Sequence, residues 1–119
     1  MREIKFRAWD KEEQEMLDWD KFFNLDIAQV FESKGSWGVY PMQYTGLKDS
    51  HGNEVYEGDI IEAVFELLDD ELKTVMDAGV VVFKDYGFQV QTFEDHYEPL
   101  HEWAQLSEEL KVIGNIYEK

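Results

Sequence analysis

Three histidines and an abundance of carboxylates have the most direct claim on chemistry in this chain. His96 and His101 stand five apart in HYEPLHEW, with Glu98 and Glu102 interleaved. Helical metal ligands converge from positions three or four apart, so this Pro-interrupted spacing fits a zinc site poorly. His51 lies far away in a turn-like stretch. Surface histidines without a metal are the simpler reading. Asp18, Asp20 and the run Asp69-Asp70-Glu71 lack the ligand series and closing glutamate of a calcium loop, and read as solvated turns. Ser33, Ser36, Ser50 and Ser107 have no base at a motif spacing. The chain also lacks a phosphate-cradling loop, a dinucleotide fingerprint and a nucleophile elbow. With no cysteine, thiolate catalysis and a disulfide framework are excluded. These residues imply no catalytic, cofactor or metal site, and a metal-dependent enzyme stays only as a remote alternative.

Binding is the better-supported chemistry. Trp9, Trp19, Trp37 and Trp103 would mark a contact patch if several were exposed together; core packing is the competing role for each. Trp9 falls on the charged side of the first alternating segment, which makes it the first candidate for contact with a partner. Tyr44, His51 and Tyr56 join it around a glycine-spaced turn segment as a candidate recognition surface. The chain carries 27 acidic and 11 basic residues, a formal charge of −16. Binding a phosphate backbone needs clustered Lys and Arg, and only Arg2, Lys5 and Arg7 are concentrated, so direct nucleic-acid binding is not expected. The acidity reads first as solubility and steering. Mimicry of nucleic acid, as an acidic inhibitor of a DNA-binding protein, is the alternative.

The elements that must position these residues are mostly strands. Glu3–Trp9 alternates, and Glu15–Asp20 closes a first hairpin with it. Phe23, Ile27, Val30 and Phe31 fall at helical spacing, which predicts a short helix within Phe22–Lys34 ending at Gly35. Trp37–Thr45 reads as a strand, with Pro41 arguing for an edge or a bulge. Gly46, Gly52 and Gly58 recur every six residues beside polar side chains. That spacing predicts two tight reversals with positive φ, with Asp49 and Asp59 accepting hydrogen bonds from nearby amides. Ile60–Leu68 places Ile61, Ala63, Phe65 and Leu67 on one face, and Asp69–Glu71 turns the chain toward Leu72–Met76. Gly79–Lys84 and Phe88–Phe93 flank a hairpin loop at Asp85-Tyr86-Gly87. Pro99–Leu110 is helical in part, with Leu100, Trp103, Ala104 and Leu110 near one stripe. Val112–Tyr117 is a last strand with Gly114 at a bulge.

At 119 residues, without a repeat, a linker or a composition break, the chain predicts one domain over 1–119. The fold class expected is mainly β, a β-rich α+β arrangement. It is a small, strongly twisted antiparallel sheet or partly open barrel with one or two short helices. Ile4, Phe6, Ile61, Phe65, Val81, Phe83, Ile113 and Ile116 are expected to share one core. No apolar run approaches membrane-spanning length, and the charged N-terminus lacks a signal-peptide pattern, so a cytoplasmic protein with no membrane partner is expected.

Several segments carry a specific resemblance. MREIKFRAWD, Met42-Gln43-Tyr44-Thr45-Gly46-Leu47-Lys48-Asp49, Gly52 followed by Glu54-Val55-Tyr56-Glu57-Gly58-Asp59-Ile60-Ile61, and Val112-Ile113-Gly114-Asn115-Ile116-Tyr117-Glu118 resemble the YopX family. Gly79 to Phe88 is similar to that family's central hairpin. Phe22–Trp37 and Leu67–Asp77 carry no family signal. The resemblance implies a predominantly β fold and work inside a bacterium carrying a phage or prophage. It supplies no catalytic residues. The expected function is a non-enzymatic phage or prophage accessory protein that binds a protein partner. Its aromatic excess and strand edges point to homo-oligomers.

Overall fold

The computed structural model describes residues 4–23, 38–68, 72–93 and 96–118. Among these residues the chain forms β1 (Phe6–Asp10), β2 (Glu15–Leu17), α1 (Trp19–Phe23), β3 (Val39–Lys48) and β4 (Glu54–Tyr56). It continues through β5 (Asp59–Leu68), β6 (Leu72–Lys84), β7 (Gly87–Phe93), β8 (His96–Pro99), α2 (Leu100–Leu106) and β9 (Glu109–Asn115). The fold is mainly β. One antiparallel sheet runs β2-β1-β3-β4, and a second, five-stranded sheet runs β8-β7-β6-β5-β9. One sheet curls into a half-barrel. The helix expected within Phe22–Lys34, Trp37 and the turn Asp69–Glu71 fall wholly or largely outside the described residues.

Alternation explains the five-stranded sheet. Ile61 and Ala63 on β5, Val81 on β6 and Val90 on β7 are buried together with Val55, Leu100, Trp103 and Leu110. Helix α2 closes this cluster: Leu100 and Trp103 lie one turn apart on its inner face. Trp103 meets Phe65 edge-on at 5.4 Å, and its indole N–H donates to Glu98 Oε1 at 2.7 Å. Burying the indole without that acceptor would cost about 1–3 kcal/mol. Gly79 has a packing role, because a Cβ there would stand 2.5 Å from Val90 Cγ1 and 2.7 Å from Gln91 O. Only a residue without a side chain lets β6 approach β7 this closely.

The single core expected from sequence is corrected in two ways. The described residues form three clusters: the one above, a second around Ala8 and Leu17, and a third of Met42, Tyr44 and Tyr56. Ile61 and Val81 lie in the first, which Phe65 packs against, and Phe6 packs against the second. Ile4, Phe83, Ile113 and Ile116 are exposed instead. For Ile113 the cause is the bulge. Ile60 pairs with Gly114 but Ile61 pairs with Val112, so Ile113 is the extra residue and turns outward. Ile4 precedes β1, and Ile116 follows β9 in a turn. Phe83 sits near the β6–β7 reversal, resting edge-on against Phe88 at 5.1 Å.

Two element expectations also change, and the expectation of an edge position for Pro41 holds locally. Helix α2 stops at Leu106, and Leu110 belongs to β9, where it is buried opposite Ala63. Leu72–Met76 and Gly79–Lys84 are one continuous strand, β6. Pro41 lies inside β3, between β1 and β4, but the two pairings use different halves of that strand. Residues 39–43 pair with β1, and pairing with β4 begins at Tyr44, so Pro41 has a neighbour on one side only.

Candidate functional site

The segment from Thr45 to Ile61 acts as a clasp between the two sheets. Gly46, Gly52 and Gly58 adopt φ of 89°, 85° and 90°, the left-handed geometry expected from their spacing. Asp49 Oδ1 accepts from the amides of His51 (2.9 Å) and Asn53 (2.8 Å), which closes the β3–β4 reversal. Its Oδ2 accepts from the Val112 amide at 3.0 Å, tying that reversal to β9. Ser50 adds a reciprocal link, donating its amide to Leu110 O and accepting the Leu110 amide at Oγ, both at 2.8 Å. Burial alone would raise the Asp49 pKa. The amides of Val112, Asn53 and His51 outweigh it and hold the carboxyl below the usual range.

Asp59, ten residues on, is fully buried and solved differently. Its Oδ2 accepts from the Tyr56 amide at 2.7 Å, and its Oδ1 receives a guanidinium N–H of Arg7 from strand β1. The guanidinium also lies over the Tyr56 ring, 4.2 Å from its centroid. Burial pushes the Asp59 pKa up to about 6, against the opposing pull of Arg7 and the Tyr56 amide. The next turn residue, Gly58, donates its amide to Val81 O (2.8 Å) and accepts from Ile116 at 2.9 Å. The clasp therefore grips β6, β9 and the C-terminal turn at once.

The four expected contact residues divide sharply. Only His51 is exposed, and its ring pairs with Glu109 at 3.3 Å. Tyr44 and Tyr56 are 5% and 6% exposed and pack on each other at 5.4 Å. Burial first, and then the charge of Glu54, push the Tyr56 hydroxyl well above its usual range. Trp9, expected on an open charged side, is only 6% exposed. Both neighbours of β1 pair across it there, Met16 on one side and Tyr40 on the other. The recognition surface anticipated around the glycine turns is thus mostly interior. His96 and His101 do not converge: His96 bonds Glu98 at 3.1 Å on β8, and His101 lies on α2.

Two clefts open beside this core. One, of about 320 Å³, is lined by Arg7, Met16, Asp18, Asn53, Glu54 and Tyr56. Its strongest charges are already engaged. Arg7 is held by Asp59, and Glu54 pairs with Lys5 at 2.5 Å and accepts from the Tyr56 hydroxyl at 3.1 Å. Burial would raise the Glu54 pKa, but Lys5 and Tyr56 bring it below the usual range, so it is a poor general base at neutral pH.

The other cleft, of about 270 Å³, lies between the β1–β2 turn and the C-terminal turn, lined by Trp9, Lys11, Gln14, Tyr40, Ile116 and Tyr117. Tyr40 and Tyr117 stack with centroids 4.9 Å apart and planes 19° from parallel. Asn115 builds this wall: its buried Oδ1 accepts from the amides of Tyr117 and Glu118, both at 2.9 Å, while Nδ2 donates to Glu118 Oε1 at 2.9 Å. The result is an Asx turn that fixes where Tyr117 points. Burial first, then the charge of Glu57 and the neighbouring Tyr40, push the Tyr117 pKa up. Apart from Trp9, the residues of this cleft were not selected from sequence. Tyr40 lies in β3 and Tyr117 near the C-terminus, and no local spacing joins them.

Among the described residues no group of three or more His, Asp or Glu side chains could hold a metal ion. No helix among them is long and apolar enough to cross a membrane. In comparison with known proteins, no curated sequence matches the chain. Among solved structures, protein EF1440 from Enterococcus faecalis is similar at 24% identity and a TM-score of 0.61. The match covers 99% of this chain and 96% of that one, and it shows a shared fold. The model of the YopX protein family matches residues 5–119. That span takes in the Arg7–Asp59 clasp, the Asn115 turn and every residue of the aromatic cleft, and the chain belongs to the YopX family.

Proposed function

We propose that the protein is a non-enzymatic binding module for a protein partner, and that the aromatic cleft of Trp9, Tyr40 and Tyr117 is its contact surface. The observation that carries this reading is a contrast in how polar groups are used. Asp49, Asp59 and Asn115 are buried, and the bonds recorded for each are internal, holding one sheet to the other or shaping a turn. The rings at the cleft instead border open space, on a wall that Asn115 holds rigid. Rigid aromatic side chains give large contact area at low entropic cost, which is what interface anchors require. The family resemblance supports reading such a module as a phage or prophage accessory protein acting inside a bacterium.

The test is photo-crosslinking in bacterial cells producing the full chain. A benzophenone amino acid replaces Lys11 at the cleft rim or, as a control, Glu66, exposed on β5. A discrete protein adduct from position 11, absent from position 66, is the expected result. Adducts from position 66 and none from position 11 would overturn the assignment.

A further inference from the structure

The rings of the aromatic cleft lack something that other rings of this molecule have. Lys5 Nζ stands 5.3 Å from the Tyr44 centroid, the Arg7 guanidinium 4.2 Å from Tyr56, and Lys84 Nζ 4.1 Å from Tyr97. Among the described residues no cation is recorded over Trp9, Tyr40 or Tyr117, although Lys11 stands at the rim. The face of an electron-rich ring attracts a cation, more strongly where water is excluded. The surroundings favour positive charge as well. Asp10, Glu12, Glu13 and Glu15 flank Lys11 on the β1–β2 turn and its edges. The Glu57–Gly58 turn lies against the far wall, where a Cβ on Gly58 would be 3.5 Å from Tyr117 Cε2. Glu57 is half-buried and forms no recorded ion pair among the described residues. Its burial raises its pKa against the opposing pull of the Gln43 amide, and a cation beside it would favour the carboxylate.

We propose that the cleft receives an arginine side chain from a basic segment of the partner, its guanidinium stacked on the Tyr40–Tyr117 wall and facing Glu57. This deepens the binding-module reading and rests on it. Size agrees: pockets that take a whole small molecule run from about 300 to 1,000 Å³, and this cleft, at about 270 Å³, suits one long side chain. Arginine suits it better than lysine, because a planar, weakly hydrated guanidinium stacks on a ring while an ammonium holds its water. The −16 charge of the whole chain would steer such a segment inward but cannot by itself choose the cleft.

The experiment is an NMR titration of the isotope-labelled full chain at physiological salt. It uses a short Gly-Ser peptide carrying one arginine and the same peptide with citrulline, the neutral isostere. The expected result is saturable shifts at the Trp9 indole and the Ile116 and Tyr117 amides, with the arginine peptide about twofold to thirtyfold tighter than citrulline. Tyr117→Leu and Tyr40→Leu, each with a dispersed spectrum, should remove most of that preference, and Glu57→Gln part of it. Equal affinities at the cleft would overturn the arginine assignment and leave the contact surface standing. Shifts spread over the acidic surface, insensitive to both tyrosine variants and abolished by salt, would overturn it in favour of charge mimicry. Absence of any shift at the cleft would overturn it too, while the crosslink from position 11 decides the contact surface independently.

Discussion

The clasp and the cleft are built from neighbouring parts of the same motifs, yet they treat their side chains in opposite ways. In the clasp, Asp49 accepts from three backbone amides and Asp59 from an amide and Arg7. In the cleft, Tyr40 and Tyr117 satisfy each other by stacking and leave the space beside them open. The difference shows why the most motif-like residues here need not be the functional ones. Glycines and aspartates at regular intervals are what a chain requires to reverse twice within a few residues and lock two sheets together. The proposed contact surface is what that lock holds in place, through the Gly58–Ile116 bond and the Asn115 turn.

The comparison breaks most readily at Arg7. Arg7→Ala leaves the Asp59 carboxylate buried and unpaired, and should cost about 3–5 kcal/mol by chemical denaturation. A loss under 1 kcal/mol would mean the ion pair does not hold the sheets. Asp49→Ala should cost less, about 1–3 kcal/mol, since it strands amides without stranding a charge. Hydrogen exchange at Val112 should accelerate in that variant, and unchanged exchange would sever the proposed tie between the β3–β4 reversal and β9. Gly58→Val should cost about 1–3 kcal/mol, because it combines a φ of 90° with a Cβ 3.1 Å from Met42 Cε. Gly52→Val shares the φ problem but meets nothing within 4 Å, so its loss should be the smaller of the two. Equal midpoints for the two variants would remove the packing part of the argument.

The two aspartates also predict opposite pH behaviour. The Asp59 pKa is raised in the folded state, from 3.8 to about 6. The native chain therefore holds that proton more tightly than the unfolded chain. The stability this contributes is full below pH 3.8 and is lost as pH rises through 6. Asp49 is lowered, so its contribution is full above 3.8 and is lost as pH falls through its folded value. Asp59→Asn should flatten the stability profile between about pH 4 and 6, by at most about 1.4 kcal/mol per pH unit. Asp49→Asn should alter the profile only at the acid end. Coincident changes in both variants would show that the two carboxyls do not differ in environment.

Much of the frame was legible because it is local. Alternation marked β1 and β5, the Asp85-Tyr86-Gly87 loop marked the β6–β7 hairpin, and the six-residue glycine spacing marked the positive-φ positions. Short polar side chains beside those glycines identified Asp49 and Asp59 as amide acceptors. What escaped is non-local or hinges on one inserted residue. The bulge that turns Ile113 outward comes from pairing with β5, not from its own sequence. Leu110 fits the stripe of α2, but the chain straightens at Ser107, whose extended backbone ends the helix. Arg7 reads as one of three members of a small basic cluster, and nothing near it announces a carboxylate 52 residues away. Trp9 was sought as an open contact and lies nearly covered beside a cleft whose other walls come from the β1–β2 turn, β3 and the C-terminal turn.

The central claim is that the clasp supports and the cleft binds, and one double variant separates the two. Tyr40→Leu with Tyr117→Leu keeps apolar packing and should cost only about 1–2 kcal/mol of stability. Made in the chain carrying the photoreactive residue at position 11, it should leave a cooperative denaturation curve and abolish the partner adduct. A folded double variant that still yields the adduct at the parent level would contradict the account.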